Sequence, residues 1–503
     1  MGRGQKSKEA LSSAARVELI ETFIPQKVGY DSLDQKSPTA TFKRYRYSDY
    51  DGSLIETEDG FIKKFPMILG DNGEPWDLGN LYLHWKLADL ALSDPPNIAT
   101  LRNIAANLCM FLRWIENEQK AGKSIHELYF PEIAAERVTY RYRRYLTKAI
   151  RLQTISPGVA KARMSIVVGF YKGLIKGGLV EDAAIQNKPY ESKIMGIPVV
   201  SSSGLERIKF VETTDLSIIA PRNLHDPDLI AEEGGKLRPL GDDEQEVIIK
   251  ALRTNKNREL ELMIFTSLFT GARIQTVCTL RIKHIHDLLK TNEKAIKCNS
   301  NTELKLKVGV GTSIDVKGQS RYGKAYRLFM PAKLAQMLLD YASSERARSR
   351  RKKSFYGDTE ENYLFLSRNG TPFYTSRKEL IDRQNKDTSK RVSYKNRVDF
   401  PVSEGQSVRE MLKRLHKHIL REHDPTFKQF RFHDLRATYG LNYVKDMLDA
   451  GVKPSQILQD LMTRMGHANI QTTMGYLKYA ERNDEIKTVT TAHYKRLTRY
   501  SSQ

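Results

Sequence analysis

The sequence predicts a mainly α-helical chain with a small amount of β-sheet, divided among two or three globular parts. Three observations carry this. From about Leu81 apolar residues recur at 3–4 spacing through segment after segment. Before that point, aromatic and β-branched residues alternate with charged ones. A second such alternation, "LKVGVGTSIDVKGQSRYGKAYRLFMP", stands alone inside the later half and has the marks of a β-hairpin. At 503 residues, 40% of them hydrophobic, the chain is too long for one ordinary domain and apolar enough for real cores.

The elements follow in order. "TATFKRYRYSDYDGSLIETEDGFIKKF" reads as short strands with turns at Asp51-Gly52 and Asp59-Gly60, within an N-terminal region spanning 1–78. A helical domain is expected over 79–184. It comprises "YLHWKLADLAL", "TLRNIAANLCMFLRWIENEQK", "ERVTYRYRRYLTKAIRL" and a helix that opens at Ser156-Pro157 and stops at Gly177-Gly178. Residues 185–238, rich in Pro, Gly and Ser, read as a linker with some local structure. A second globular domain is expected over 239–482, entered by the acid-capped helix "GDDEQEVIIKALRT". Within it, residues 343–361 and 376–405 read as polar loop insertions. Residues 483–503 form a tail with apolar residues at roughly helical spacing.

Charge narrows the function. Lys+Arg 82 against Asp+Glu 60 gives a net charge of +22, which favours a polyanionic partner, nucleic acid first. Cys109, Cys278 and Cys298 have no CxxC spacing, which fits a reduced interior rather than a disulfide framework. No secretory signal and no run long enough to span a bilayer is visible, so a soluble, intracellular protein without membrane association is expected.

Several positions could carry chemistry. In "LFTGARIQTVCTLR" a helix stops at Gly271 and Arg273 stands on the first turn of the next, able to swing toward an anion. Lys317 sits near the hairpin tip and Lys324 begins the return strand. "FRFHDLRATYG" places His433 and Arg436 on one helical face. In "RMGHANIQTTMGYLKYA" Gly466-His467 reads as a helix end, Thr472 and Thr473 as caps of the next helix, and Tyr476 as its tyrosine, with Tyr479 three residues on. "HIH" at 284–286 would share a face on a strand, whereas "HKH" at 416–418 sits in a helical pattern where the pair diverges. With no clustered cysteine or carboxylate partners, no metal site is expected. In the helical domain "YRYRRYL" offers Arg141, Arg143 and Arg144 for phosphate contacts, and Lys161 and Arg163 make a similar basic edge.

Taken in order, the boxes containing Arg273, Lys317, His433-x-x-Arg436, His467 and Tyr476 closely resemble the catalytic signature of the tyrosine recombinases, the phage-integrase family. The resemblance covers about residues 240–480 and extends more weakly to "SPGVAKARMSIVVGFYKGLI", which is like the end of that family's core-binding domain. It implies a helical, SAM-like core-binding domain and a mixed α/β catalytic domain that together clamp double-stranded DNA. It also implies a 3′-phosphotyrosyl intermediate formed by Tyr476, with Arg273 and Arg436 on the phosphate, Lys317 (or Lys324) protonating the leaving 5′ oxygen, and His433 and His467 orienting the phosphate and moving protons. The covalent ester conserves bond energy, so neither cofactor nor metal is implied. The expected activity is site-specific recombination that integrates or excises a mobile element, by a homotetramer on paired sites, with accessory DNA-bending factors, in a nucleoid-associated cytoplasmic setting. The alternatives are a type IB-like topoisomerase or resolvase, and a DNA-binding architectural or regulatory protein without turnover. One position departs from the family pattern: where an acidic residue usually stands three after the first arginine, this chain has Thr276.

Overall fold

In the computed structural model, the described residues are 13–30, 40–47, 53–56, 62–91, 98–181, 185, 187–200, 206–218, 229–232, 235–317, 324–384, 402–467 and 470–481. The turns expected at Asp51-Gly52 and Asp59-Gly60, most of the insertion at 376–405 and the tail from 483 lie outside them. The chain forms two compact units, Met1–Leu224 and His225–Gln503. It is mostly helical with small antiparallel sheets.

In the first unit Arg16–Phe23 pairs antiparallel with Ile62–Leu69, and Ala40–Tyr47 pairs with both Gln26–Tyr30 and Leu54–Glu56. The first of these strands had no clear sequence signal, because its alternation is broken by an exposed Leu19. Four long helices follow, Asp77–Ala91, Ile98–Lys120, Val138–Arg151 and Pro157–Lys176. Their packing faces follow the 3–4 spacing: Leu101, Ile104, Ala105, Leu108, Leu112 and Ile115 line the buried side of the second. The fourth starts as its sequence dictates, with Ser156 Oγ accepting from the Val159 amide and proline at the first helical position. Phe65 and Ile68 of the last N-terminal strand share one hydrophobic cluster with these helices, so the boundary read at residue 78 falls inside a common core. The segment read as a linker contains a hairpin, Ser192–Val200 with Glu206–Thr214, and Leu216 buried in that same core.

The second unit is built on the helices Asp242–Asn255, Arg258–Thr270, Ile282–Thr291, Ala332–Ser343 and Gln406–Glu422 around a hairpin, Glu303–Gly309 with Ala325–Pro331. Strand alternation is clean up to Val308, with Leu304, Leu306 and Val308 buried and Glu303, Lys305 and Lys307 exposed. The segment 343–361, read as a loop, contains a helix, Glu345–Arg351. Its arginines misled the reading. Arg346 and Arg350 both reach the buried Glu259 carboxylate, and Arg351 is buried against Asp358, so Arg350 and Arg351 turn inward while Arg346 stays exposed. A smaller cluster joins Phe432–Asp449, Pro454–Met465 and the helix at 470–481 to Ile230 and Leu237. Among the described residues no helix is long and apolar enough to cross a membrane.

Candidate active site

Two helix ends and one buried guanidinium organise the site. The helix Arg258–Thr270 ends at Gly271, and Pro454–Met465 ends at Gly466; both glycines are left-handed, with φ of 67° and 58°. A side chain at either position would be strained, and a Cβ would also strike Tyr439 in the first case and Tyr326 in the second. Each ending leaves backbone carbonyls without helical partners at the negative end of a helix dipole. Arg436, on Phe432–Asp449, collects one from each: Nη1 donates to the Gly271 carbonyl at 2.7 Å and Nη2 to the Met465 carbonyl at 2.6 Å. The guanidinium is wholly buried, a placement that is expensive unless partners are fixed in advance. Here they are fixed by the two helix ends.

The elements around Arg436 fall into place from this bridge. Arg273 is the N-cap of the short helix Ile274–Cys278, two residues beyond Gly271, and is itself buried. His433 lies one turn before Arg436, half-buried. Asp434 secures the helix start, with its carboxylate accepting the amides of Arg431 and Arg238. His467 follows Gly466, its amide bonded to the Met462 carbonyl at 3.0 Å. Thr473 does not cap the next helix as expected; it lies inside it, and its hydroxyl is 3.0 Å from His467 Nδ1, so it orients the imidazole. Tyr476 is one turn further along 470–481, its ring stacked at 6.1 Å from His467 and packed against Gly440. It is wholly buried, whereas Tyr479 is only partly so.

The expected hairpin lysines are placed differently from a simple tip. The strands close at Gly309 and Ala325, and the connection between them dips back into the protein, burying Ile314, Asp315 and Val316 before Lys317 emerges exposed. Lys324 is half-buried beside the return strand, its carbonyl accepting the Val310 amide. Thr276 donates to the Asp315 carbonyl at 3.0 Å. Sequence reasoning passed over Asp315 and Arg464. Arg464 pairs with Glu303 at 2.6 Å and lies over Phe329 at 4.2 Å, tying the helix before His467 to the hairpin. Its only sequence signal was position, three residues before His467.

The histidines of the two paired motifs have ordinary partners. The "HIH" pair stands on the helix Ile282–Thr291 and not on a strand, so the two rings diverge. His284 accepts the Arg281 amide and lies 3.0 Å from Ser313 Oγ, while His286 faces Glu360. On Gln406–Glu422, His416 meets the Phe427 carbonyl and His418 meets Thr254. In the first unit the basic residues separate into two kinds. Arg141 is paired with Glu118 at 3.0 Å and Arg144 donates to the Ala135 carbonyl; Arg143 and Arg163 are half-buried, and Lys161 is exposed.

A family model described as the phage integrase family matches residues 239–483. This segment belongs to the phage integrase family. No curated protein matches the chain. Among solved structures it is similar to the Tn1549 transposon integrase in complex with transposon right end DNA, at 13% identity over 82% of this chain and 99% of that one, with a TM-score of 0.40. It is also similar to the XerH site-specific recombinase bound to difH substrate, at 11% identity, 80% and 91% coverage and a TM-score of 0.42. A third similarity is to a lambda integrase dimer bound to a COC' core site, at 13% identity, 79% and 94% coverage and a TM-score of 0.38. The matched segment contains the bridge residues Gly271, Arg436 and Met465 together with Arg273, His433, His467 and Tyr476.

Proposed function

We propose that the chain is a site-specific DNA recombinase that cuts and rejoins strands through a tyrosyl ester, serving the integration or excision of a mobile element. The observation that carries this reading is the Arg436 bridge, which holds the Arg273 turn and the His467 turn to one guanidinium. A phosphodiester carries negative charge that grows in the transition state, and preorganised cations offset it without reorganisation. Arg273 and Arg436 take that role. Tyr476 attacks phosphorus, Lys317 protonates the departing 5′ oxygen, and His433 and His467 orient the phosphate and move protons. The helical residues Arg141, Arg143, Arg144, Lys161 and Arg163 contact the duplex from the first unit, and subunits assemble as a tetramer on paired sites.

Tyr476 is buried in the apolar cluster, so attack requires the helix at 470–481 to shift. Withdrawing an aromatic ring from such a cluster costs on the order of 2 kcal/mol, a sum that a few phosphate contacts on the arriving DNA can offset. The test is covalent capture in EDTA on a pool of nicked duplexes with randomised sequence, followed by sequencing of the attached DNA. A defined recombination site attached through its 3′ phosphate is the expected result. No adduct under any condition would leave the architectural alternative standing, and cleavage that strictly requires Mg²⁺ would point to a nuclease.

A further inference from the structure

The connection carrying Lys317 is held far more firmly than closure of a hairpin needs, and its anchor is Asp315. The backbone carbonyl of Asp315 accepts from Thr276 Oγ at 3.0 Å, and its amide donates to Thr279 Oγ at 2.9 Å. Both hydroxyls belong to the turn that Arg273 begins. The Asp315 carboxylate accepts the Arg377 amide at 2.9 Å, at the start of the helix Arg377–Gln384. Two residues earlier, Ser313 meets the half-buried His284. On either side of Asp315, Ile314 and Val316 are buried in the main core. A residue with every backbone polar group satisfied by side chains of one neighbouring helix is fixed to that helix, because breaking either bond leaves a buried group without a partner. Lys317 follows at once. Its Cα lies within two Cα–Cα steps of Asp315, about 7.6 Å at most, so the reach of its side chain is centred on a point set by the Arg273 turn.

We infer that Asp315, held by Thr276 and Thr279, is a positioning residue that fixes Lys317 relative to Arg273 for proton delivery. This rests on the reading of Lys317 as the general acid. In the step concerned, Tyr476 Oη bonds to phosphorus as its proton passes to a histidine imidazole. The P–O5′ bond breaks, and the oxygen takes its electron pair together with a proton from Lys317. Misplacing that ammonium by about 1 Å slows only the part of the reaction that needs the proton, by up to about 10²-fold. A sulfur at the bridging 5′ position leaves as a thiolate and needs no proton.

The experiment uses the full chain and the site recovered by covalent capture, synthesised with oxygen or with sulfur at the bridging 5′ position. On the oxygen duplex Thr276→Val, which keeps the shape and loses the hydroxyl, is expected to cleave roughly 10-fold to 100-fold more slowly. On the sulfur duplex it should come within about threefold of the unaltered protein, and Thr276→Ser should behave normally on both. Equal loss on both duplexes, or no loss on oxygen, overturns the inference. Lys317→Ala separates the two claims. If sulfur fails to rescue it, the general-acid reading falls; if sulfur rescues Lys317→Ala and not Thr276→Val, only the positioning claim falls. Should Thr276→Val not fold, Thr279→Ala, which removes the hydroxyl that accepts the Asp315 amide, is judged by the same oxygen-to-sulfur ratio.

Discussion

The arginines of the helix Val138–Arg151 and those of the integrase domain look alike in sequence and differ in what surrounds them. On Val138–Arg151 the half-buried Arg141 leans on Glu118 and the exposed Arg144 on the Ala135 carbonyl. In the integrase domain Arg273 and Arg436 are buried, and so is Arg281, which lies between the rings of Tyr356 and Tyr363 at 4.6 and 4.9 Å. A surface guanidinium can pair or unpair at little cost. A buried one must be met by fixed partners in the folded state, which makes it part of the architecture as well as of any chemistry. The contrast teaches that charge counts do not separate surface arginines from structural ones. Their partners do.

Breaking the buried side of the comparison should give the largest effect. Arg436→Ala leaves the Gly271 and Met465 carbonyls without their donor, at a cost of about 2–4 kcal/mol in unfolding free energy, read by chemical denaturation. Cleavage should fall by roughly 10²–10³-fold or more, while duplex affinity falls much less. A variant of unchanged stability would mean that the bridge does not hold the two turns.

A smaller effect concerns pH. Burial, with Arg281 and Lys283 nearby, pushes the His284 imidazole down from 6.5 to about 4. The folded state therefore keeps this ring neutral while the unfolded chain takes up a proton, so its contribution to stability is complete above about pH 6.5 and is lost as pH falls toward 4. The loss is on the order of 3 kcal/mol across that window. His284→Gln should flatten this part of the stability–pH curve, and an unchanged slope would remove His284 as its source.

The smallest effects sharpen the surface side. Lys161→Ala should lower the dependence of log affinity on log salt by about 0.9, the share of one neutralised phosphate. Arg141→Ala should lower that slope by less, because the Glu118 carboxylate already offsets its charge, and should cost less than about 1 kcal/mol of stability through the lost pair. The reverse pattern would exchange their roles.

Helices were legible wherever their apolar faces repeat, as in Ile98–Lys120, and where the caps are chemically explicit, as at Ser156-Pro157. The boxes around Arg273, Arg436, His467 and Tyr476 were legible because their residue types and order are unusual together. What they do locally was not. Thr473 reads as a cap by type, yet its hydroxyl turns to His467 across a helical turn, a contact that only the folded geometry decides. Asp315 looked like one more polar residue in a hairpin loop, since nothing local reveals that Thr276 and Thr279 will meet its backbone from 39 and 36 residues away. The helix Glu345–Arg351 was hidden by its charge, because its partner Glu259 lies 87 residues earlier than Arg346.

The most direct test of the account maps the covalent link itself. The adduct formed on the captured site is digested with protease and nuclease, and the peptide carrying the residual nucleotide is sequenced by tandem mass spectrometry. The account predicts a 3′-phosphoryl nucleotide on Tyr476, lost in Tyr476→Phe and retained in Tyr479→Phe, with duplex binding nearly intact in both. A nucleotide carried by Tyr479, or an adduct that survives Tyr476→Phe, would contradict it.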